Sequence, residues 1–299
     1  MKYGFVKVAA ATPKIKVANT THNGNMIRSM MKEAADEGAK VVVFPELCIT
    51  GYSCGDLFLQ EKLLVSAKEE LMRIANFTEK IDGIFFVGLP FEIGGKLYNV
   101  TAAVSGGEVL GIVPKTYLPG YNEFYETRYF ASGAGIDTEE VLPNGESVLI
   151  NTDLIFCCEN IPKLKISAEI CEDLWNANPP SIRHALAGAN VIVNLSASNE
   201  TVGKREYRRN LVTGQSARLL CAYICAAAGE GESTQDVVYA GHNMIAEAGR
   251  ILKESKIFTT GIIYSEIDVE RLESERRKTN TFIINDTHTG VAFNLEYEE

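Results

Sequence analysis

Residues 164–175 read Leu-Lys-Ile-Ser-Ala-Glu-Ile-Cys-Glu-Asp-Leu-Trp. Their apolar residues favour a buried strand that stops at Cys171, and an Ala-rich helical segment follows from about Pro179. A thiol at a strand-to-helix turn has the setting of a nucleophile elbow, although the Gly-x-Ser-x-Gly motif is absent. A free cysteine is more often a small buried hydrophobic residue, so only partners elsewhere in the chain can assign chemistry to Cys171.

The composition is that of a globular protein with a large core. The chain has 299 residues, of which 46% are hydrophobic and 23% charged, and its net charge is −10. This acidic balance argues against nucleic acid as a partner, because a polyanion binds basic surfaces. No apolar run approaches the length of a membrane span, and the amino terminus alternates like a strand instead of a secretory signal. The sequence therefore predicts a cytoplasmic protein without a membrane partner.

The cysteines and histidines give no sign of a disulfide framework or a metal site. The seven cysteines are odd in number and form no Cys-x-x-Cys pair, and the four histidines are scattered singly along the chain. The sequence predicts no metal.

Strand and helix patterns alternate along the chain. Apolar runs predict strands, and the main ones are 3–11, 41–44, 84–89, 98–104, 108–113, 148–150, 154–158, 164–171, 190–198, 222–229, 244–249 and 261–269. Helical periodicity predicts helices near 26–37, 57–77, 179–188 and 204–220 and from Glu270 onward. The pattern indicates layered sheets with helices outside, an α/β fold in a single domain over residues 1–275. Residues 276–299 lose periodicity and are expected to form a surface tail or the start of a junction.

Three residues of different chemistry each follow a predicted buried strand. Glu46, Lys115 and Cys171 occupy these positions, and strand ends that point the same way meet at one edge of a sheet. A thiol nucleophile needs a base, and a tetrahedral intermediate needs positive charge near its oxyanion. Taken singly, Glu46 could be an ion-paired or capping carboxylate and Lys115 a solvated surface lysine. Together they predict one site.

The segments around these residues resemble a known family. FPELCITGY (44–52), PKTYLPGYNEFYETRYF (114–130) and ISAEICEDLW (166–175) are similar to the three signatures of the nitrilase, or carbon-nitrogen hydrolase, superfamily. The second and third segments and NLSAS (194–198) resemble in particular the amino-terminal glutaminase domains of glutamine-dependent NAD synthetases. The resemblance covers the chain to about residue 275 and implies a single-domain αββα sandwich.

The resemblance also implies a Cys-Glu-Lys amidase mechanism. Glu46 would be the general base, and Cys171 would attack the carboxamide of glutamine to form a thioester. Lys115, with the backbone amide after Cys171, would stabilise the oxyanion. Glu123 resembles the supporting acid that many members of the superfamily hold near the triad, although Glu126 is an alternative.

Further residues would contact the substrate. The resemblance points to Tyr121, Glu172 and Ser198, with Glu172 suited to the α-ammonium of glutamine. Lys204 stands where arginine is common in the family, and it would offer the α-carboxylate a charge without a bidentate fork. Three further basic residues of the same predicted helix are expected to form a solvated face, namely Arg205, Arg208 and Arg209.

The carboxyl end differs from the family pattern. Glutamine-dependent NAD synthetases continue into an ATP-using domain, whereas the 299 residues contain no such domain, so we expect an excised glutaminase domain. Its partners would be glutamine, that synthetase domain and further copies of the chain in a homo-oligomer. The glutaminase step would need no cofactor, and ATP and Mg²⁺ would serve only the synthetase domain. The alternatives are a stand-alone amidase or carbamoylamidase and a non-catalytic scaffold domain.

Overall fold

The structure is a computed structural model that describes residues 4–234 and 236–296. Within them it forms fifteen strands: β1 (Phe5–Thr12), β2 (Val41–Val43), β3 (Ile84–Ile93), β4 (Lys96–Ser105), β5 (Glu108–Pro114), β6 (Asp137–Val141), β7 (Ser147–Asn151), β8 (Leu154–Cys158), β9 (Lys165–Ile170), β10 (Val191–Ser196), β11 (Ala222–Ala227), β12 (Met244–Glu247), β13 (Arg250–Glu254), β14 (Gly261–Asp268) and β15 (Thr289–Phe293). The helices are α1 (Thr20–Asp36), α2 (Glu61–Phe77), α3 (Glu172–Trp175), α4 (Pro180–Leu186), α5 (Lys204–Leu219) and α6 (Val269–Lys278).

The strands form two mixed sheets. The first sheet has the order β14-β1-β2-β3-β4-β5-β7-β6, and the second has the order β13-β12-β11-β10-β9-β8-β15. Strands β1, β2 and β3 are parallel, and the antiparallel pairs β3–β4 and β4–β5 return β5 to the direction of β2. In the second sheet β9, β10 and β11 are parallel. Strands β1, β2, β3 and β5 therefore end at one edge of the first sheet, and β9, β10 and β11 end at one edge of the second.

The two sheets pack face to face with helices on both outer sides. Val41 and Val43 belong to the core between the sheets, whereas Val42 faces outward and packs with α1 and α2. A third cluster places α4 and α5 on the outer face of the second sheet. A strand covered on both faces is apolar throughout, which explains the uninterrupted run at 41–43. The predicted αββα sandwich is confirmed.

Several local predictions need correction. The helix predicted from residue 57 begins at Glu61, after a 3₁₀ turn over Gly55–Leu59. Strands β6 and β13 were not predicted, because both carry exposed charged residues of the kind common in surface loops. The tail expected to lack regular structure contains β15, which pairs in parallel with β8 in the second sheet.

The carboxyl-terminal limit of the predicted domain falls within regular structure. Helix α6 runs to Lys278, past the predicted boundary at residue 275. The start of the first predicted strand, Tyr3, and the end of the tail, residues 297–299, lie outside the described residues. A junction to a further domain stays a prediction.

None of the helices in the described part of the chain combines the length and apolar composition needed to cross a bilayer.

Candidate active site

Glu46 and Cys171 are brought together at the end of one central strand. The backbone amide of Cys171 donates to the carbonyl oxygen of Leu195 (3.0 Å), and that of Glu46 donates to the carbonyl oxygen of Ser196 (3.4 Å). Leu195 and Ser196 are the last two residues of β10, so the turn after β2 in the first sheet meets the turn after β9 in the second. Tertiary packing therefore places the carboxylate and the thiol at one site.

Gly88 permits the close approach of the turn that carries Glu46. A Cβ atom at this position would lie 2.3 Å from the backbone nitrogen of Leu47 and 2.8 Å from the carbonyl oxygen of Pro45. Contacts this short would force the backbone apart, so a side chain at residue 88 would displace Glu46 from the site.

Cys171 has a strained backbone. Its φ of 44° and ψ of −97° are unusual for a residue with a side chain, and it lies directly between β9 and α3. Positive φ values outside glycine cost free energy and concentrate at functional sites. The strand-to-helix turn predicted from the sequence is therefore present, with strain at the nucleophile position.

Lys115 lies between two buried carboxylates. Its Nζ atom is 2.6 Å from Glu46 Oε1 and 2.7 Å from Glu126 Oε1, and all three side chains are at least 96% buried. Burial lowers the pKa of Lys115, but the two carboxylates outweigh burial and leave the pKa well above its usual value. Lys115 is therefore an ammonium, and not the solvated lysine of the alternative interpretation.

The thiol of Cys171 needs a base. Burial and the nearby charge of Glu46 raise the pKa of Cys171 well above its ordinary value, against the opposing effect of Lys115. Glu46 Oε2 is a buried oxygen without a hydrogen-bond partner among the described residues, while Oε1 accepts from Lys115 and from Asn99 Nδ2 (2.7 Å). The unpartnered oxygen can accept a proton, as a general base requires.

The second carboxylate that contacts Lys115, besides that of Glu46, belongs to Glu126 and not to Glu123. Glu126 also accepts a hydrogen bond from the Tyr52 hydroxyl (2.7 Å), and burial raises its pKa to about 7. Glu123 instead accepts from Asn199. Both acids lie in one irregular loop, so sequence spacing could not distinguish them.

Asn99 was missed by the sequence interpretation. It is a polar residue between Tyr98 and Val100 of β4, it is 99% buried, and its side-chain amide donates to Glu46. A buried polar residue in an apolar strand needs a hydrogen-bond partner, and this was the available sequence signal.

A small cavity next to Cys171 gathers the predicted substrate contacts. The cavity has a volume of about 70 Å³, and its lining includes Cys171, Tyr121, Glu172, Ser198 and Lys204. Tyr121 donates its hydroxyl hydrogen to Glu172 Oε1 (2.8 Å). The cavity therefore combines a thiol with a carboxylate and an ammonium group.

Lys204 is held at this cavity by aromatic and polar neighbours. Its Nζ atom lies 5.0 Å from the ring centre of Trp175 and 5.6 Å from that of Phe124, and it donates to Asn199 Oδ1. Burial lowers the pKa of Lys204, while nearby Cys171 and Glu123 act in the opposite direction. Cation–π contacts suit an ammonium group that must be positioned in a half-buried place.

Arg208 is not part of a solvated helix face. It is 99% buried, and its guanidinium donates to Ser198 Oγ (3.1 Å), Glu200 Oε2 (2.6 Å) and His242 Nδ1 (3.1 Å). Arg205 and Arg209 do lie on the exposed side of α5, where both pair with Glu254. The prediction of a solvated face is wrong for Arg208, because this residue turns inward and donates to Ser198, which lines the cavity.

A larger cavity is also lined by the loop of residues 115–130. It measures about 570 Å³, and Tyr52, Glu126 and Tyr239 contribute to its lining. Glu123 and Phe124 line both cavities. The loop of residues 115–130 thus forms walls of both cavities.

A buried thiol, a carboxylate and an ammonium group at the strand ends of an αββα sandwich define a cysteine-dependent hydrolase of amide-like bonds. Residues 7–277 match the carbon-nitrogen hydrolase family, and the chain belongs to that family.

The similar proteins include whole synthetases. The chain is 41% identical over 289 residues to the glutamine-dependent NAD(+) synthetase of Mycobacterium tuberculosis, covering 96% of this chain and 42% of the relative. The crystal structure of a glutamine-dependent NAD(+) synthetase from Cytophaga hutchinsonii superposes with a TM-score of 0.79 at 29% identity, over 88% of this chain and 43% of that one. The chain thus spans less than half the length of these relatives.

A shorter protein shares the fold. Saccharomyces cerevisiae Nit3, described as a member of branch 10 of the nitrilase superfamily, superposes with a TM-score of 0.72 over 93% of this chain and 95% of its own. At 20% identity this similarity concerns the fold alone.

Proposed function

We propose that this chain hydrolyses the side-chain amide of glutamine and releases ammonia. The observation that carries the proposal is the cavity at Cys171, where Glu172 and Lys204 offer opposite charges. Glutamine presents an ammonium and a carboxylate on one carbon, and these would pair with Glu172 and Lys204, respectively. Ser198 and Tyr121 would complete the contacts with the substrate. Arg208 donates a hydrogen bond to Ser198, and Tyr121 donates one to Glu172.

The first half of the reaction forms a thioester. Glu46 takes the proton of Cys171, and the thiolate attacks the amide carbon while Lys115 and the backbone amide of Glu172 stabilise the oxyanion. One hydrogen-bond donor to the oxyanion typically lowers the activation free energy by about 2.7–4 kcal/mol. The C–N bond then breaks, Glu46 returns the proton to the leaving nitrogen, and ammonia departs.

The second half regenerates the enzyme. Glu46 removes a proton from water, the resulting hydroxide attacks the thioester carbon, and the C–S bond breaks to give glutamate. The proton held by Glu46 returns to the thiolate. Glu126 would keep Lys115 in place through both halves, whereas Glu123 would act at the cavity wall through Asn199. This step needs no cofactor.

The ammonia would serve a synthetase domain. The relatives that match over 40–46% of their own length are glutamine-dependent NAD(+) synthetases, which supports a role as the glutaminase domain of such a protein. That domain would use ATP and Mg²⁺ to amidate nicotinic acid adenine dinucleotide. The coding sequence downstream, searched for Ser-Gly-Gly-x-Asp-Ser, would test this part. The homo-oligomer, to be tested by light scattering, and the cytoplasmic location stay predictions.

To test the proposal, the purified chain would be incubated with glutamine, with aliphatic amides and with carbamoyl-amines. Ammonia release would be measured with and without a separately produced synthetase domain. We expect glutamine to be preferred and hydroxylamine to intercept the Cys171 thioester, which transfers the acyl group to hydroxylamine as a hydroxamate and frees the thiol. Release from every amide except glutamine would favour a stand-alone amidase or carbamoylamidase. Unchanged activity in Cys171→Ala would refute the mechanism, and no turnover under any condition would favour a scaffold domain.

A further inference from the structure

Two histidines and an aspartate meet away from the active-site cavity. Asp153 lies in the turn between β7 and β8, His184 is on α4, and His288 immediately precedes β15. One ligand-type atom from each residue lies within 4.8 Å of the other two. Residues from three separate parts of the chain thus converge at the edge of the second sheet.

The hydrogen bonds of His184 fix its proton. Its Nε2 atom lies 3.1 Å from the carbonyl oxygen of Ala168, which can only accept, so Nε2 carries the hydrogen. The other nitrogen, Nδ1, therefore presents a lone pair, and it lies 2.8 Å from His288 Nε2. Metal-binding histidines commonly have this arrangement, with the second ring nitrogen donating to a carbonyl or carboxylate.

His288 can present a lone pair on the same side. Its Nδ1 atom is buried without a hydrogen-bond partner among the described residues. If the proton on Nε2 moves to Nδ1, the ring stays neutral and Nε2 becomes free to bind a cation.

Asp153 supplies a carboxylate on the solvent side. Its Oδ1 atom lies 3.8 Å from His288 Nε2, and Oδ2 is held by Arg183 (2.6 Å). Arg183 also binds Asp286, and the backbone amide of Thr289 donates to the Asp153 carbonyl (2.9 Å). The Asp153 side chain is 26% exposed, which gives an ion a route from solvent.

We propose that Asp153, His184 and His288 bind one divalent transition-metal ion, with Zn²⁺ as the best-suited ion. Two imidazole nitrogens and one carboxylate oxygen are a donor set that zinc accepts, and water would complete the coordination. Nitrogens bound at about 2.0–2.1 Å in a tetrahedron lie about 3.3 Å apart, so the two rings need separate by only about 0.5 Å from their present contact.

The ion would have a structural role. His288 belongs to the segment that leads into β15, whereas Asp153 and His184 belong to the body of the second sheet and its covering helix. Coordination would fasten the carboxyl-terminal segment to the sheet, and an ion that binds only the folded state stabilises it by mass action.

Zinc binding to the intact chain tests the proposal. Calorimetric titration with Zn²⁺ would use Cys171→Ala as the host, because the active-site thiol could bind zinc itself. We expect one ion per chain and a higher Tm. His184→Asn and His288→Asn should weaken binding by at least about 100-fold and Asp153→Asn by at least about tenfold, because loss of an outer-shell partner alone costs about 10–100-fold. His22→Asn, on α1, is the matched control and should bind normally.

An NMR measurement that needs no substitution at Asp153, His184 or His288 avoids the risk that such a variant fails to fold. Ring-nitrogen NMR of the same host should show that Zn²⁺ changes the resonances of His184 and His288 and leaves those of His22 and His242 unchanged. No saturable binding, binding that survives both histidine substitutions, or changes confined to the other histidines would overturn the proposal.

Discussion

Lys115 Nζ lies 2.6 Å from Glu46 Oε1, and both side chains are fully buried. The same nitrogen holds Glu126 at 2.7 Å, so one cation serves two carboxylates. Removing one partner of a buried ion pair leaves an uncompensated charge in a low-dielectric interior. The ion cluster is therefore both the candidate catalytic centre and a point where stability is sensitive to substitution.

Lys115→Met should abolish glutamine hydrolysis and destabilise the fold by about 3–5 kcal/mol, because it leaves Glu46 and Glu126 without their cation. Adding Glu126→Gln should recover part of the lost Tm without restoring activity. Thermal unfolding and ammonia release measure the two effects. A double variant no more stable than Lys115→Met would show that repulsion between the carboxylates is unimportant.

Glu46→Gln should lower the hydrolysis rate by about 10²–10⁴-fold, the usual contribution of a general base. It should also slow alkylation of Cys171 by iodoacetamide, because the thiol would lose its proton acceptor. Glu92→Gln, on the exposed end of β3, is the control and should leave both rates unchanged. Normal alkylation in Glu46→Gln would assign the base role elsewhere.

Glu126 should make stability depend on pH. Burial raises its pKa to about 7 from the ordinary 4.5, so the folded state binds more protons than the unfolded state between these values. The contribution of protonated Glu126 to the free energy of unfolding is fully present below about pH 4.5, and it is lost as pH rises through about 7. The Tm of the wild type relative to Glu126→Gln should therefore fall between pH 5 and pH 8. A constant Tm difference would argue against a titrating Glu126.

Lys204→Met should raise KM for glutamine by about 10–100-fold, since a hydrogen bond to a charged group is worth about 1.5–3 kcal/mol. Hydrolysis of an aliphatic amide that lacks the α-carboxylate should change little. Arg205→Met, one residue further along α5 and paired with Glu254, is the control. An equal rise in KM for both substrates would mean that Lys204 shapes the cavity and does not recognise the carboxylate.

Arg208→Met should destabilise the protein by about 3–5 kcal/mol, because Glu200 would remain in the interior without its partner. Arg209→Met, on the exposed side of the same helix, should lower the free energy of unfolding by only about 0–1 kcal/mol. Unfolding followed by circular dichroism compares the pair. Similar losses for the two variants would contradict the distinction between them.

Local patterns of apolar and polar residues in the sequence were sufficient to predict the outline of the fold. Uninterrupted apolar runs predicted strands covered on both faces, and the structure places Val41 and Val43 between the sheets and Val42 under the helices. Strand β15 escaped prediction because its sequence, Thr-Gly-Val-Ala-Phe, has little periodicity, and its pairing with β8 joins residues more than 130 positions apart. Long-range pairing of this kind leaves no mark in a short window of sequence.

The sequence by itself determined which side chains follow the buried strands, because strand periodicity and the point where it stops are local properties of the chain. Glu46, Lys115 and Cys171 were found in this way. Only the tertiary structure decided which side chains meet across the loops and helices. It turned Glu126 and not Glu123 toward Lys115, buried Arg208 behind Ser198, and brought His184 to His288 across 104 residues. Such contacts depend on the relative placement of whole elements, which the packing of the two sheets fixes.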